Sequence, residues 1–393
     1  MTDGIVIAGG GLAAQRCAET LRARGHEGPI RMVCGEPELP YDRPALSKDV
    51  LAGTATEASL AFRDLEWYAR EGIDLLVDER AVRLRPAARR LELASGASLA
   101  YDRLLVATGA APRRLPGVGG FTNVHLLRTM ADARSLRETL VPGLRLAVVG
   151  AGFIGPEVAA TARLRGAEVT LVEALPAPLA PILGTEIGGW FAAMHASEGV
   201  DVRVSASLAS LRGDAAVTAL ELADGTSVPC DAVVIGIGVA PDTAWLAGSG
   251  LPHRGGVPTD TAGRTAIPGV WAAGDAANPF DPRRGDHRRS EHWEAAVQTG
   301  RAAARDMLGL EPAPPGPSSF WSDQYGVRIQ YVGDAAGHDA VQVDGDLDAR
   351  DATVHFLRGG QPVAALLVGR PRALPAARRD LAAAFDHDTR SAA

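Results

Sequence analysis

The sequence predicts a mixed α/β chain made of two parallel βαβ units and a small α+β domain at its C-terminal end. Three observations carry that reading. Glycine-rich turns follow apolar runs in two places: Gly9-Gly10-Gly11-Leu12-Ala13-Ala14 after Ile5-Val6-Ile7, and Gly150-Ala151-Gly152-Phe153-Ile154-Gly155 after Leu146-Ala147-Val148-Val149. Each turn leads into apolar residues at helical spacing, over 12–24 and 155–165, and then into a second apolar strand, 30–34 or 169–172, that ends near a carboxylate, Glu36 or Glu173. Strand-like segments at 327–332, 340–343, 353–357 and 362–368 precede a helix over 373–385, the pattern of a separate α+β domain.

The glycines have a chemical reason. A pyrophosphate must approach the backbone N–H groups at a helix N-terminus, where a Cβ would obstruct the tight turn. Glycine removes the obstruction. Glu36 and Glu173 each lie about 20 residues past their turn, where an acidic residue reads a ribose 2′-hydroxyl. Both units are therefore Rossmann-like, and two dinucleotide sites in one chain point to a pair of nucleotides exchanging electrons.

At 393 residues the chain exceeds a usual single core. A strand at 101–107 stops at Thr108-Gly109-Ala110 before the Pro/Gly-rich stretch 111–120, which marks a domain crossing. Another apolar strand, 232–237, ends in Gly236-Ile237-Gly238 and is expected to return the chain to its first domain. Trp271-Ala272-Ala273-Gly274-Asp275 closes the returning segment, a helix follows over 293–308 with Ser290 as its N-cap, and four prolines within 311–317 form a stiff linker. The expected division is 1–112 and 232–314 for the first dinucleotide domain, 113–231 for the inserted second one, and 315–393 for the α+β domain.

Charge and cysteine content narrow the function. The formal net charge of −7 argues against a nucleic-acid partner. The cysteines, Cys17, Cys34 and Cys230, are too far apart in sequence for a local redox disulfide or for the usual zinc spacings, so no metal site is expected. The chain enters a strand at Gly4 with no charged leader, and every 18-residue apolar stretch is broken by charge, Pro or Gly. No membrane span and a cytoplasmic location are the expectation.

The motifs Pro40-Tyr41-Asp42-Arg43-Pro44-Ala45-Leu46-Ser47-Lys48, Ala107-Thr108-Gly109, the segment 150–157, Ala273-Gly274-Asp275, Glu291-His292-Trp293 and Phe320-Trp321-Ser322-Asp323-Gln324 extend the pattern over nearly the whole length. With them the chain resembles the FAD-dependent, NADH-oxidising ferredoxin reductases of bacterial cytochrome P450 and ring-hydroxylating oxygenase systems, the putidaredoxin reductase type. The resemblance implies a glutathione reductase-like fold and hydride transfer from NADH to FAD, then single-electron steps to a small [2Fe-2S] ferredoxin. It implies that Gly9, Gly11, Ala14 and Glu36 hold the ADP half of FAD, and that Arg43 and Lys48 reach its phosphate and flavin ends. Gly274-Asp275 would meet the ribityl chain. The helix entered through Glu291, His292 and Trp293 would point its positive end at the flavin pyrimidine edge, with Trp293 and Trp321 close by. Val82, Ala107, Thr108, Gly109, Gly150, Gly152, Phe153, Ile154, Gly155, Gly236 and Gly238 complete the implied cofactor set. Lys48 and Glu157 would form an ion pair at the hydride-transfer site.

Glu173 suits the free 2′-hydroxyl of NADH and repels the 2′-phosphate of NADPH. The stretch 174–181 holds no cation, although many relatives carry an arginine there. A docking patch for the ferredoxin is expected at Arg283, Arg284, Arg288 and Arg289, with Arg370, Arg372, Arg378 and Arg379 as a second candidate, and a monomer or weak dimer is expected. A rubredoxin reductase or an NADH oxidase is the rival within enzymes. An NADH-sensing flavoprotein of the apoptosis-inducing-factor type is the rival from another class.

Overall fold

A computed structural model describes residues 4–117, 120–282, 284–311 and 316–391. The first unit is a five-stranded parallel sheet in the spatial order Val270–Ala272, Arg103–Val106, Ile5–Ala8, Ile30–Val33, Ile73–Leu76. Ile5–Ala8 is buried along its whole length, as expected for a central parallel strand covered on both faces. The helix Leu12–Ala23 packs on Trp293–Met307 through Ala13, Ala296, Ala303 and Ala304. Gly300 permits the approach: a Cβ there would sit 2.3 Å from the Ala13 carbonyl oxygen.

The second unit is also a five-stranded parallel sheet, in the order Asp201–Arg203, Glu168–Val172, Arg145–Val149, Ala232–Ile235, Val124–His125. The strand Ala232–Ile235 corrects an expectation. Its place was to be in the returning segment, but it pairs with Arg145–Val149 near the centre of the second sheet. A four-residue apolar strand buried on both faces suits either parallel sheet, so its pattern does not choose between them. The chain crosses back one element later, through an antiparallel ribbon of Val239–Pro241 with Ala110–Pro112.

The third unit is an antiparallel sheet in the order Ser319–Gln324, Val327–Gly333, Gln361–Val368, Asp351–Arg358, Ala340–Asp346. The terminal helix Leu374–Ser391 covers one face through Leu374, Ala377 and Leu381. The other face meets the second unit. Leu183, Ile187, Phe191 and Met194 of the helix Ala180–Ser197 share a core with Phe320, Ile329, Tyr331 and Phe356. The proline linker lies partly outside the described residues.

Candidate functional site: a cavity at three helix N-termini

A cavity of about 810 Å3 runs between the three units. Gly11, Phe153 and His292, the N-cap residues of three helices, all line it, and none makes a side-chain capping bond. The first N–H groups of a helix lack intrahelical acceptors, and its N-terminus carries partial positive charge. Three such ends on one cavity make an anion-binding environment. Ser290, expected as a cap, stands two residues before the true N-cap His292 and accepts a hydrogen bond from the His292 N–H at 3.4 Å.

The two glycine turns divide the labour in parallel. A Cβ on Gly9 would lie 2.0 Å from the Ala107 carbonyl oxygen, and one on Gly150 would lie 2.4 Å from that of Gly236. These residues let each turn cross the end of the neighbouring strand, at φ of 137° and 100°. Gly155 allows the second helix to start against Gly150, whose oxygen a Cβ would meet at 1.9 Å. The equivalent position in the first turn is the fully buried Ala14. Gly11 and Gly152 differ from these, because a Cβ on either meets nothing within 4 Å. Both face open cavity, where a pyrophosphate needs backbone without side chain. FAD and NADH fit the two turns on this ground.

The carboxylates are held by protein groups. Glu36 accepts from Arg43 Nη2 at 2.5 Å and from the Tyr41 hydroxyl at 2.6 Å. Burial works to raise its pKa, yet the Arg43 guanidinium and Tyr41 hydroxyl hold it below the usual carboxylate range. Arg43 also donates to the Arg128 carbonyl oxygen at 2.7 Å, so its position is fixed by Glu36 and this loop. Glu173 accepts from the N–H of Ala151, inside the second glycine turn, at 2.5 Å and from that of Leu175 at 2.8 Å. It buttresses the second turn and, unlike Glu36, does not line the cavity.

The residues expected at the flavin end come together around Lys48 and Trp293. Lys48 lies on a single π-helical turn, Leu46–Val50, a rare geometry that recurs at functional sites. Its Nζ is 2.7 Å from Glu157 Oε2. Glu157 is 6% exposed and also accepts from the Ser47 and Ser322 hydroxyls, the latter at 2.7 Å. Trp293 Nε1 donates to Asp42 at 2.9 Å, and its ring meets that of Trp321 edge-on at 5.5 Å. His292 stacks on Phe320 at 5.1 Å while Phe153 meets both rings, and burial lowers the His292 pKa. Thr108 donates to the Asp242 carbonyl oxygen at 2.6 Å and binds the end of the first sheet to the returning chain.

Ala107, Thr108, Gly109, Ile154, Gly236, Gly238, Gly274, Asp275 and Glu291 line the cavity as well. Gly150, Gly155 and Ala14 shape the turns from behind. Val82 is 45% exposed and off the cavity wall, which is formed there by its neighbours Arg80 and Ala81.

Sequence reasoning missed Arg128, which donates from Nη2 to Asp275 Oδ2 at 3.0 Å across the cavity. It stands in a loop with no motif of its own; the signal that could have found it is a lone cation just before the capped helix Met130–Thr139. The docking patch is less free than expected. Arg284 and Arg288 both pair with Asp334 of the third unit, and Arg289 pairs with Glu291. Asp334 offsets one of the two charges of Arg284 and Arg288, a partner some 50 residues on that the local sequence does not reveal, and Arg289 is offset by Glu291 two residues away. Arg283 lies outside the described residues. In the second cluster Arg370 is paired with Asp344 and Asp351, and Arg378 with Glu294.

Residues 3–300 match the family described as pyridine nucleotide-disulphide oxidoreductase. The chain belongs to that family. Residues 319–393 match the reductase C-terminal family. The chain is 39% identical over 383 residues to the ferredoxin–NAD(+) reductase component of the anthranilate 1,2-dioxygenase system of Burkholderia cepacia, covering 97% of this chain and 94% of that one. It is 40% identical over 368 residues to the corresponding component of the biphenyl dioxygenase system of Paraburkholderia xenovorans (strain LB400), covering 93% and 87%. Among solved structures, putidaredoxin reductase in its covalent complex with putidaredoxin superposes with a TM-score of 0.93 at 33% identity, covering 97% and 93%. The disulphide of the family name has no counterpart here. All three cysteines are free and buried, and burial pushes the Cys34 thiol, at the edge of the first glycine turn, up to about 12.

Proposed function

We propose that this protein is an FAD-dependent oxidoreductase that takes electrons from NADH and delivers them to a small [2Fe-2S] ferredoxin serving an oxygenase. The observation that carries it is the convergence of three uncapped helix N-termini and the Lys48–Glu157 pair, its carboxylate buried, on one cavity at two dinucleotide turns. Full-length similarity to ferredoxin reductase components supports the acceptor class. When bound, FAD supplies the conversion of a two-electron hydride into two single-electron transfers.

The chain's own residues bind, orient and shield. The first turn and helix hold the pyrophosphate, with Gly11 leaving room for it. The N-terminus of Trp293–Met307, at the cavity, would stabilise negative charge on a flavin bound there. Lys48, held by Glu157 on the cavity wall, would place an ammonium beside the reacting face of a bound flavin, and the buried Glu157 prevents that charge from standing alone. Phe153, Phe320 and His292 exclude water behind it. Glu173 fixes the second turn, and the stretch 174–181 after it holds no cation to receive a 2′-phosphate, which favours NADH. Trp321, packed on Trp293, borders the side of the cavity formed by the third unit.

Four parts at 1–112, 113–238, 239–314 and 315–393 are the domain division we propose, the expected boundary after 231 being moved so that Ala232–Ile235 stays with the second sheet and Val239–Pro241 with the returning chain. The test is a comparison of acceptors with NADH as donor. Ferredoxin of an oxygenase system should be reduced faster than rubredoxin or oxygen; oxygen as the fastest acceptor would favour an NADH oxidase.

A further inference from the structure

A line of buried polar side chains leaves the Lys48–Glu157 pair and ends in the third unit. Ser322 Oγ is 2.7 Å from Glu157 Oε1, and Gln324 Nε2 is 3.0 Å from Ser322 Oγ. His195 Nε2 is 2.9 Å from Gln324 Oε1, and the Tyr325 hydroxyl is 2.7 Å from His195 Nδ1. His195 has no exposed surface, and Gln324 and Ser322 are 2% and 5% exposed. Three elements supply the line: the helix Ala180–Ser197, the strand Ser319–Gln324 and the hairpin turn after that strand.

The hydrogen bonds run one way. A carboxylate only accepts, so the single Ser322 hydroxyl proton is committed to Glu157, and Ser322 Oγ must accept from the Gln324 amide. Gln324 therefore turns its carbonyl to His195, which must carry its proton on Nε2. The neutral ring then accepts at Nδ1 from Tyr325. Burial agrees, pushing the imidazole down to about 4, with Glu198 and Arg350 the charged neighbours. A proton hopping along this line would have to pass through the Gln324 amide as an imidic acid, so the line does not suit conduction. It suits a brace.

The turn supplies an independent sign. Tyr325 and Gly326 join two paired strands with φ of 52° and 76°. A two-residue turn of this hand prefers Asn-Gly, and a bulky residue at positive φ is strained. Strain of this kind persists where the surroundings hold it in place. Here the Tyr325 ring packs edge-on against His195 at 5.2 Å while its hydroxyl closes the line.

We propose that Tyr325, His195, Gln324 and Ser322 are positioning residues that aim the Glu157 carboxylate at Lys48, so that the seating of the third unit on the helix Ala180–Ser197 sets the geometry of the hydride-transfer site. This rests on the reading that the Lys48–Glu157 pair stands at that site. The test uses the FAD-loaded enzyme. In the absence of NADH, 15N NMR should show His195 as a neutral ring protonated at Nε2 down to about pH 5.5. Anaerobic stopped-flow should show Ser322→Ala lowering the limiting rate of flavin reduction about tenfold with NADH affinity unchanged, Ser322→Thr restoring it, and Tyr325→Phe giving a smaller loss. His195 protonated at Nδ1 would overturn the proposal. So would a wild-type rate in Ser322→Ala when Glu157→Ala is slow. Wild-type rates in both variants would instead remove the Lys48–Glu157 pair from the site.

Discussion

Replacing Glu157 with alanine tests the core of the site. The carboxylate is 6% exposed and receives Lys48 Nζ at 2.7 Å, the Ser322 hydroxyl at 2.7 Å and the Ser47 hydroxyl. Removing it leaves the Lys48 side chain, 11% exposed, without its counter-charge. Breaking a buried pair from one side costs about 3–5 kcal/mol, so a lower melting temperature is expected. The kinetic effect is the smaller and more specific one. Loss of a charge-assisted hydrogen bond of about 1.5–3 kcal/mol corresponds to roughly a tenfold to hundredfold slower step. Anaerobic stopped-flow at the flavin absorbance should show that slowing, and the FAD content of the purified variant should match the parent because Glu157 lies on the second unit's helix, away from the first glycine turn. Unchanged reduction rates in both Glu157→Ala and Lys48→Met would refute the assignment.

Further outcomes follow from the same geometry. Gly11→Leu should fold, purify with little FAD and melt near the temperature of the FAD-stripped parent, since its side chain enters open cavity and only the cofactor's stabilisation is lost, whereas Gly9→Ala should destabilise the protein itself by driving a Cβ into the Ala107 carbonyl; absorbance spectra and thermal melts separate the two. NADH should be preferred over NADPH by at least about tenfold in kcat/KM, about 1.4 kcal/mol, and the double change Glu173→Gln with Ala174→Arg should narrow that ratio in steady-state assays. His195 should weaken the fold in acid: its folded pKa of about 4 lies below the ordinary 6.5, so the unfolded chain binds its proton first and stability falls as pH drops from about 6.5 to about 4. A pH series of melts should show that limb reduced in His195→Gln.

Both dinucleotide units were legible because their demands are local. A pyrophosphate turn needs glycine at fixed places, and Gly9, Gly11, Gly150, Gly152 and Gly155 meet distinct steric requirements that the chain order displays. What escaped depends on partners far along the chain. Ser319–Gln324 reads as a motif rather than a strand because its inward residues include Ser322 and Gln324, polar where alternation expects apolar. Those two face inward because Glu157 and His195, brought by other elements, satisfy them. Arg128 is one arginine among many until the fold sets it against Asp275. The pairing of Arg284 and Arg288 was not legible in sequence, since Asp334 lies some 50 residues further on.

The central claim is that electrons pass from NADH to a one-electron iron–sulfur carrier, and its most direct measurement is the stoichiometry of that transfer. The FAD-loaded enzyme in catalytic amount is mixed anaerobically with limiting NADH and excess of an oxygenase-type [2Fe-2S] ferredoxin, putidaredoxin among those tried, and the visible bleaching of the cluster is followed. The account predicts two ferredoxins reduced for each NADH consumed, with one proton released. NADH that reduces the flavin while every such ferredoxin stays oxidised would contradict it.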